Sequence, residues 1–152
     1  VKTFFSFLAG LVIGVVGAGI VIGLMAPKLM LDAHVSPVSP RETVDRIKEA
    51  ARAEGWKVLG ERALHKSIKN HIGKVVRPVW VVDICEPHHA AKILESDASR
   101  RVSPFMPCSI SVYEGPGGKT IVGTMNAKLV GTLFGGVVKD VMAGPVAASQ
   151  AK

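Results

Sequence analysis

The sequence predicts a two-layer α+β domain, with a mainly antiparallel four-stranded sheet covered by helices and one transmembrane helix in front. Three observations predict it. The run from Phe4 to Ala26 is apolar and carries no charge. From residue 39 onward, segments with apolar residues at helical spacing alternate with runs rich in valine and isoleucine. The last two such runs flank Gly115-Pro116-Gly117-Gly118, a hairpin turn. The order α-β-α-β-α-β-β-α lets the helices pack on one face of a single sheet.

The first segment, residues 1–28, reads as a retained anchor. A helix rises about 1.5 Å per residue and the hydrocarbon core is about 30 Å thick, so Phe4–Ala26 would span it with some tilt. A cleaved signal peptide is the alternative. Its apolar region is usually only about 7–15 residues, and Met25-Ala26-Pro27 is a poor cleavage site. Lys2 and the α-amine precede the run, while Lys28 and Arg41 follow it, so basic residues do not fix the orientation. A short N-terminal tail commonly stays inside, which points the domain outward. The expectation is a single-pass inner-membrane protein with a periplasmic domain and membrane lipid as one partner. Gly10 with Gly14, and Gly19 with Gly23, form two small-xxx-small pairs that would let two such helices approach closely.

Residues 29–38 read as a tether, because serine before Pro37 and before Pro40 disfavours helix at each place. The domain is expected over 39–145, followed by a flexible tail, 146–152. Ser39-Pro40-Arg41-Glu42 is a capping box with proline at the first helical position. Val44, Ile47 and Ala51 then recur on one face up to Gly55, giving a helix over about 40–54. A short strand follows over 56–62. Leu64, Ile68 and Ile72 predict a helix over 63–72. Pro78–Cys85 is the clearest strand. Glu86-Pro87 opens a helix through Leu94, Asp97–Pro104 is a basic loop, and strands over 106–114 and 119–125 form the hairpin. Val130, Leu133, Phe134, Val137 and Val141 share one side of a last helical stretch over 127–142.

Composition narrows the classes. The chain has 152 residues, 48% of them apolar, with two cysteines and a formal charge of +7. That apolar content excludes a disordered chain, and two thiols exclude a disulfide-dense mini-domain. The positive charge comes partly from Lys66, Lys69, Lys74, Arg77, Arg100 and Arg101. Aromatics are only 5%, so nucleic acid is not expected as a partner. An acidic protein or anionic headgroups fit better, and a plain solvated face fits as well.

Strand parity bears on the cysteines. Trp80, Val82 and Ile84 form a wholly apolar face, which leaves Cys85 on the other one, whereas Cys108 shares an apolar face with Ile110 and Val112. A disulfide between them is therefore not expected. Cys108 reads as a buried hydrophobe. Cys85 stands just before the helix opened by Pro87, where a thiolate would be stabilised, with His88 and His89 as a base or co-ligand; equally, it simply ends a strand. A soft site of Cys85 with Met106 or Met125 and a histidine could hold copper or haem iron. No cofactor is predicted outright, because no C-x-x-C, H-E-x-x-H or C-x-x-C-H spacing occurs.

Gly55-Trp56-Lys57-Val58, Cys85-Glu86-Pro87 with Ala90 and Leu94, Met106-Pro107-Cys108 and Val112-Tyr113-Glu114 together resemble the "domain of unknown function 302" family over roughly residues 40–130. Two positions depart from it. Glu86-Pro87 stands where many members have Asn-Pro. Ser109 stands where many have arginine, which weakens any anion-binding role there. The resemblance implies a small α+β fold that pairs into dimers, and no established activity.

Three function classes follow. The first is a non-catalytic module binding a ligand or partner protein between sheet and helices, with Cys85, Glu86, His88 and His89 on the strand-to-helix turn and Arg100 and Arg101 on the next loop. The second is a thiol-redox or copper/haem module using Cys85, either with Cys108 or with a nearby histidine or methionine such as Met106. The third is a structural subunit of a membrane complex, held by the glycine-rich span.

Overall fold

The structure, a computed structural model, describes residues 2–150, and the side chains of all of these except 2–6, 8, 9 and 27. Its centre is a five-stranded antiparallel sheet: β1 (Leu31–Ser36), β2 (Lys57–Ala63), β3 (Val79–Cys85), β4 (Cys108–Glu114) and β5 (Thr120–Met125). The spatial order is β1-β5-β4-β3-β2. The helices are α1 (Lys2–Met30), α2 (Pro40–Ala53), α3 (Leu64–Ile72), α4 (Pro87–Leu94), α5 (Ala127–Phe134), α6 (Gly136–Val141) and α7 (Ala147–Gln150).

The expected alternation of β3 and β4 sets the core. Trp80 lies opposite Val112, Val82 opposite Ile110, and Ile84 opposite Cys108. Val82 and Val112 lose all contact with solvent, and Val44 of α2 packs onto the same cluster. Ser39 caps α2, its Oγ accepting the Glu42 N–H at 3.3 Å. On the solvent side of α2, Arg41 and Lys48 both reach Glu61 of β2, the lysine at 2.8 Å.

Three sequence expectations need correction. The sheet has five strands, not four. The extra one is β1, inside the stretch read as a tether. Its residues pair in unbroken register with β5, from Leu31 opposite Met125 to Ser36 opposite Thr120. Tether-like composition hid it, because an edge strand needs an apolar pattern on only one face and β1 leaves four of its six residues exposed. Its end is tied to α2 by the hydroxyls of Ser36 and Thr43, 2.7 Å apart.

The second correction concerns the anchor. Among the described residues, no helix is long and apolar enough to cross a membrane. Phe4, Phe5, Ser6, Leu8 and Ala9 of the expected span lie outside the described side chains. The transmembrane helix therefore does not stand, and with it falls the single-pass inner-membrane and periplasmic placement. What the structure shows is a helix whose apolar side chains, among them Leu11, Ile13, Val16 and Leu24, are exposed. Among the described residues, nothing beyond the neighbouring backbone of the helix itself comes within 4 Å of a Cβ added at Gly10, Gly14, Gly19 or Gly23.

The third correction is at the C-terminus. The helical stretch expected over 127–142 is broken at Gly135, whose φ of 69° favours glycine. Beyond it α6 turns back, a π turn covers Met142–Val146, and α7 follows. Val146, in the segment read as a flexible tail, is buried at 3% exposure. Gln150 Nε2 donates to the Met125 carbonyl at 3.1 Å.

This return path depends on Gly131. A Cβ there would stand 2.8 Å from Met142 Cβ and 3.0 Å from the Ala143 nitrogen. Gly131→Ala should therefore destabilise the fold by about 1–3 kcal/mol through overpacking, read as a lower urea midpoint. Ser39→Ala should cost about 1 kcal/mol through the lost cap. An unchanged midpoint would contradict the close packing at Gly131 in the first variant, or the capping by Ser39 in the second.

Candidate functional site

A narrow apolar cavity of about 40 Å³, open to solvent, lies between the sheet and the C-terminal helices. Ile84 of β3 and Cys108 of β4 supply its sheet side, next to Trp56, which immediately precedes β2. α4 and the turn before it contribute Cys85, Glu86, His89, Ala90 and Ile93. The opposite wall is Val130 and Phe134 of α5, Val138 and Val141 of α6, then Met142 and Val146. Phe105 and Met106 complete it, followed by Pro107, whose peptide bond to Met106 is cis. Phe105 and Phe134 stand edge to face, centroids 5.6 Å apart, and both stay partly exposed. The lining is almost entirely hydrocarbon and sulfur. Its charged or polar groups are Glu86 and His89, beside the indole of Trp56, which meets the His89 ring edge to face at 6.3 Å.

Glu86 is the N-cap of α4. Its Oε2 accepts the His89 backbone N–H at 2.7 Å and lies 3.2 Å from His89 Nδ1. Burial pushes the Glu86 carboxyl up, but the N–H groups of His89 and His88 outweigh it, so its pKa falls below the ordinary glutamate value. The carboxylate thus occupies the helix N-terminus that was expected to favour a thiolate at Cys85. Burial raises the Cys85 pKa, and the negative charge of Glu86 raises it further. Burial also raises Cys108, with Cys85 adding to it. Both thiols are free. Cys108 faces Ile84 across the strands rather than Cys85, as the alternation of side chains requires.

The structure brings Cys85, Glu86, His89, Met106 and Cys108 to one cavity. His88 is exposed on α4, and Arg100 and Arg101 are exposed outside the lining. Arg100 has local work: its Nε donates to the Leu94 carbonyl at 2.9 Å, closing the end of α4, and it pairs with Asp97 at 2.9 Å. Met125 ends β5 and packs against the core cluster. Sequence reasoning missed Trp56, Phe105 and the far wall. The apolar side of 127–142 was visible, but the partner it faces depends on the turn at Gly135. Among the described residues, no group of three or more His, Cys, Asp or Glu side chains comes together to hold a metal ion. Glu86 and His89 meet as a pair beside the sulfur atoms of Cys85, Met106, Cys108 and Met142.

Residues 32–150 match the family described as "Domain of unknown function DUF302". The chain belongs to this family. The DUF302 domain therefore includes β1 and α7, more than the stretch that carried the resemblance in sequence. A crystal structure of an uncharacterized conserved protein DUF302 from Bacillus stearothermophilus matches it with a TM-score of 0.70 at 24% identity, over 80% of this chain and 93% of that one. At that identity the likeness shows the fold. No curated protein matches the chain.

The thiols give a pH prediction. Both pKa values are raised in the folded state, so alkylation by iodoacetamide near neutral pH should be slower than for free cysteine. It should speed up only above the ordinary thiol pKa of about 8.5, with Cys108 the slower of the two. Because the folded state holds these protons more tightly, stability is full below the unfolded thiol pKa and declines as pH rises through the folded one. Fast alkylation of Cys85 at pH 7 would contradict this arrangement.

Proposed function

We propose that this DUF302 domain is a non-catalytic binding module that takes a small apolar molecule into the cavity between sheet and helices. One observation carries the reading: an apolar cavity, open to solvent and walled by hydrocarbon and sulfur, with one carboxylate and one imidazole among its lining groups. Ligand sites are of this kind, an apolar body with a few polar groups that fix orientation. Glu86 and His89 would orient a polar end group of the ligand, the carboxylate as acceptor and the ring as donor or acceptor. Phe105 and Phe134 would close over the apolar part.

A thiol or soft-metal site is the second reading. It is favoured by Cys85, Met106, Cys108 and Met142 all lining one cavity. Burial speaks against it, because it raises both thiol pKa values, and the thiolate is the nucleophile and the ligand.

The test uses N-phenyl-1-naphthylamine, a neutral apolar fluorophore. The full chain should bind it saturably, with enhanced emission and quenching of the adjacent Trp56. Ala90→Phe, which puts a ring into the cavity lining from α4, should weaken that component about tenfold or more, while Cys85→Ser should leave it within about threefold. Any probe held by the exposed α1 would be indifferent to Ala90→Phe. Absence of a component sensitive to Ala90→Phe sinks the binding reading. Stoichiometric copper uptake abolished by Cys85→Ser would establish the second one instead.

A further inference from the structure

Charge along α3 and the loop that follows it is one-sided. From Ala63 to Val82 the chain carries Lys66, Lys69, Lys74 and Arg77 and no aspartate or glutamate. Arg41, Arg46, Lys48, Arg62 and Arg100 each pair with a carboxylate. Among the described residues, no acidic side chain pairs with Lys66, Lys69 or Lys74. Glu114 is the acid that borders this arm, residues 64–77, at its base, where the Glu114 N–H donates to the Pro78 carbonyl at 3.1 Å.

The arm is fixed at its base and open at its tip. The Val79 N–H donates to His65 Nδ1 at 3.1 Å, and the His65 ring meets Trp80 edge to face at 4.6 Å. Arg77 Nη1 donates to the Gly115 carbonyl at 3.3 Å. Between these ties the chain turns at Gly73, where α3 ends, and every residue from Lys69 to Val75 is exposed. Ile72 and Val75 are 71% and 76% exposed, more than any other large apolar side chain described outside α1. Exposed apolar residues scattered singly are ordinary. Two at one tip, set among unpaired lysines, combine apolar area with positive charge.

We propose that this arm docks on an anionic lipid surface. Ile72 and Val75 enter the headgroup boundary, and Lys66, Lys69 and Lys74 set their ammonium groups against the phosphates. Interfacial segments bind in this way, through buried apolar area together with attraction to anionic lipid. Lysine suits the position, because its hydrocarbon stem can follow the apolar side chains while the charge stays in water. A projecting tip fits a bilayer boundary, which yields around it, better than a partner protein, whose surface must match its shape. The contact is reversible and uses no spanning helix. It is separate from the cavity, none of whose lining residues belongs to the arm.

Flotation of the full chain with vesicles tests this, one set of phosphatidylcholine alone and the other of phosphatidylcholine and phosphatidylglycerol in equal parts. Binding to the anionic set should be about tenfold or more tighter, and the difference should shrink as salt is raised. Lys66→Glu, Lys69→Glu and Lys74→Glu together should abolish the preference. Ile72→Ser with Val75→Ser should weaken anionic binding about threefold or more. Lys92→Glu, Lys128→Glu and Lys139→Glu, at lysines exposed on α4, α5 and α6, should leave most of the preference. Equal loss from both sets of reversals overturns the proposal, because net charge then suffices. So does equal binding to both vesicles, the expected behaviour if the exposed apolar α1 holds the chain on lipid. On the wild type, anionic vesicles should protect Lys66, Lys69 and Lys74 from acetylation, and this decides the matter if a variant fails to fold. Protection by poly-glutamate and by neither vesicle would assign the arm to an acidic protein and overturn the lipid reading.

Discussion

The alternation of side chains along β3 and β4 is the constraint on which the rest of this molecule depends. Successive residues of a strand point to opposite faces. Once Val82 and Val112 are buried, the positions of Trp80, Ile84, Cys108 and Ile110 follow. α2 and the C-terminal segments must cover that face, because it is too apolar to leave in water. The same parity makes Ile84 the cross-strand neighbour of Cys108. It also brings the strand ends to the cavity.

The cavity exists because the cover over this face is made of short pieces. A single helix over 127–142 would present one straight apolar stripe. Instead, Gly135 breaks it and Gly131 admits the returning segment to van der Waals contact. The turn gives the site a wall on the side opposite α4. It also buries Val138, Val141, Met142 and Val146 together. Charge is confined to the turn where β3 becomes α4. There Glu86 has two tasks, capping the helix through the His89 N–H and presenting a carboxylate beside apolar walls. Burial raises the Cys85 pKa despite its place at a helix N-terminus, and the Glu86 carboxylate held at that end raises it further.

Much of the fold was legible in the residues. Ser39-Pro40-Arg41-Glu42 located the start of α2 because capping is local, satisfied by atoms within one turn. The valine-rich run before Cys85 located β3, and the glycine-rich turn located the hairpin. The strand at 31–36 was not legible. Asp32, His34 and Ser36 look like linker residues until β5 lies alongside them. The apolar helix at the N-terminus was read by length and composition as a membrane span, a reading that the described residues do not support. In the site, Cys85, Glu86, His89, Met106 and Cys108 were legible as candidates from chemistry and from their place at strand ends. Their convergence with Trp56, Phe105 and Val146 was not.

By itself the sequence determined the class of fold, the start and end of most elements, and which face of each strand is apolar. These depend on interactions among residues a few positions apart: caps, turns, and the periods of helix and strand. Only the tertiary structure decided that a fifth strand extends the sheet at Leu31–Ser36, that the chain turns back at Gly135, and that the two thiols share one apolar cavity whose burial raises their pKa values. Each of those outcomes rests on contacts between residues far apart in the chain. Burial, hydrogen-bond phase and the pKa of a buried group belong to the assembled surroundings, and no local pattern carries them.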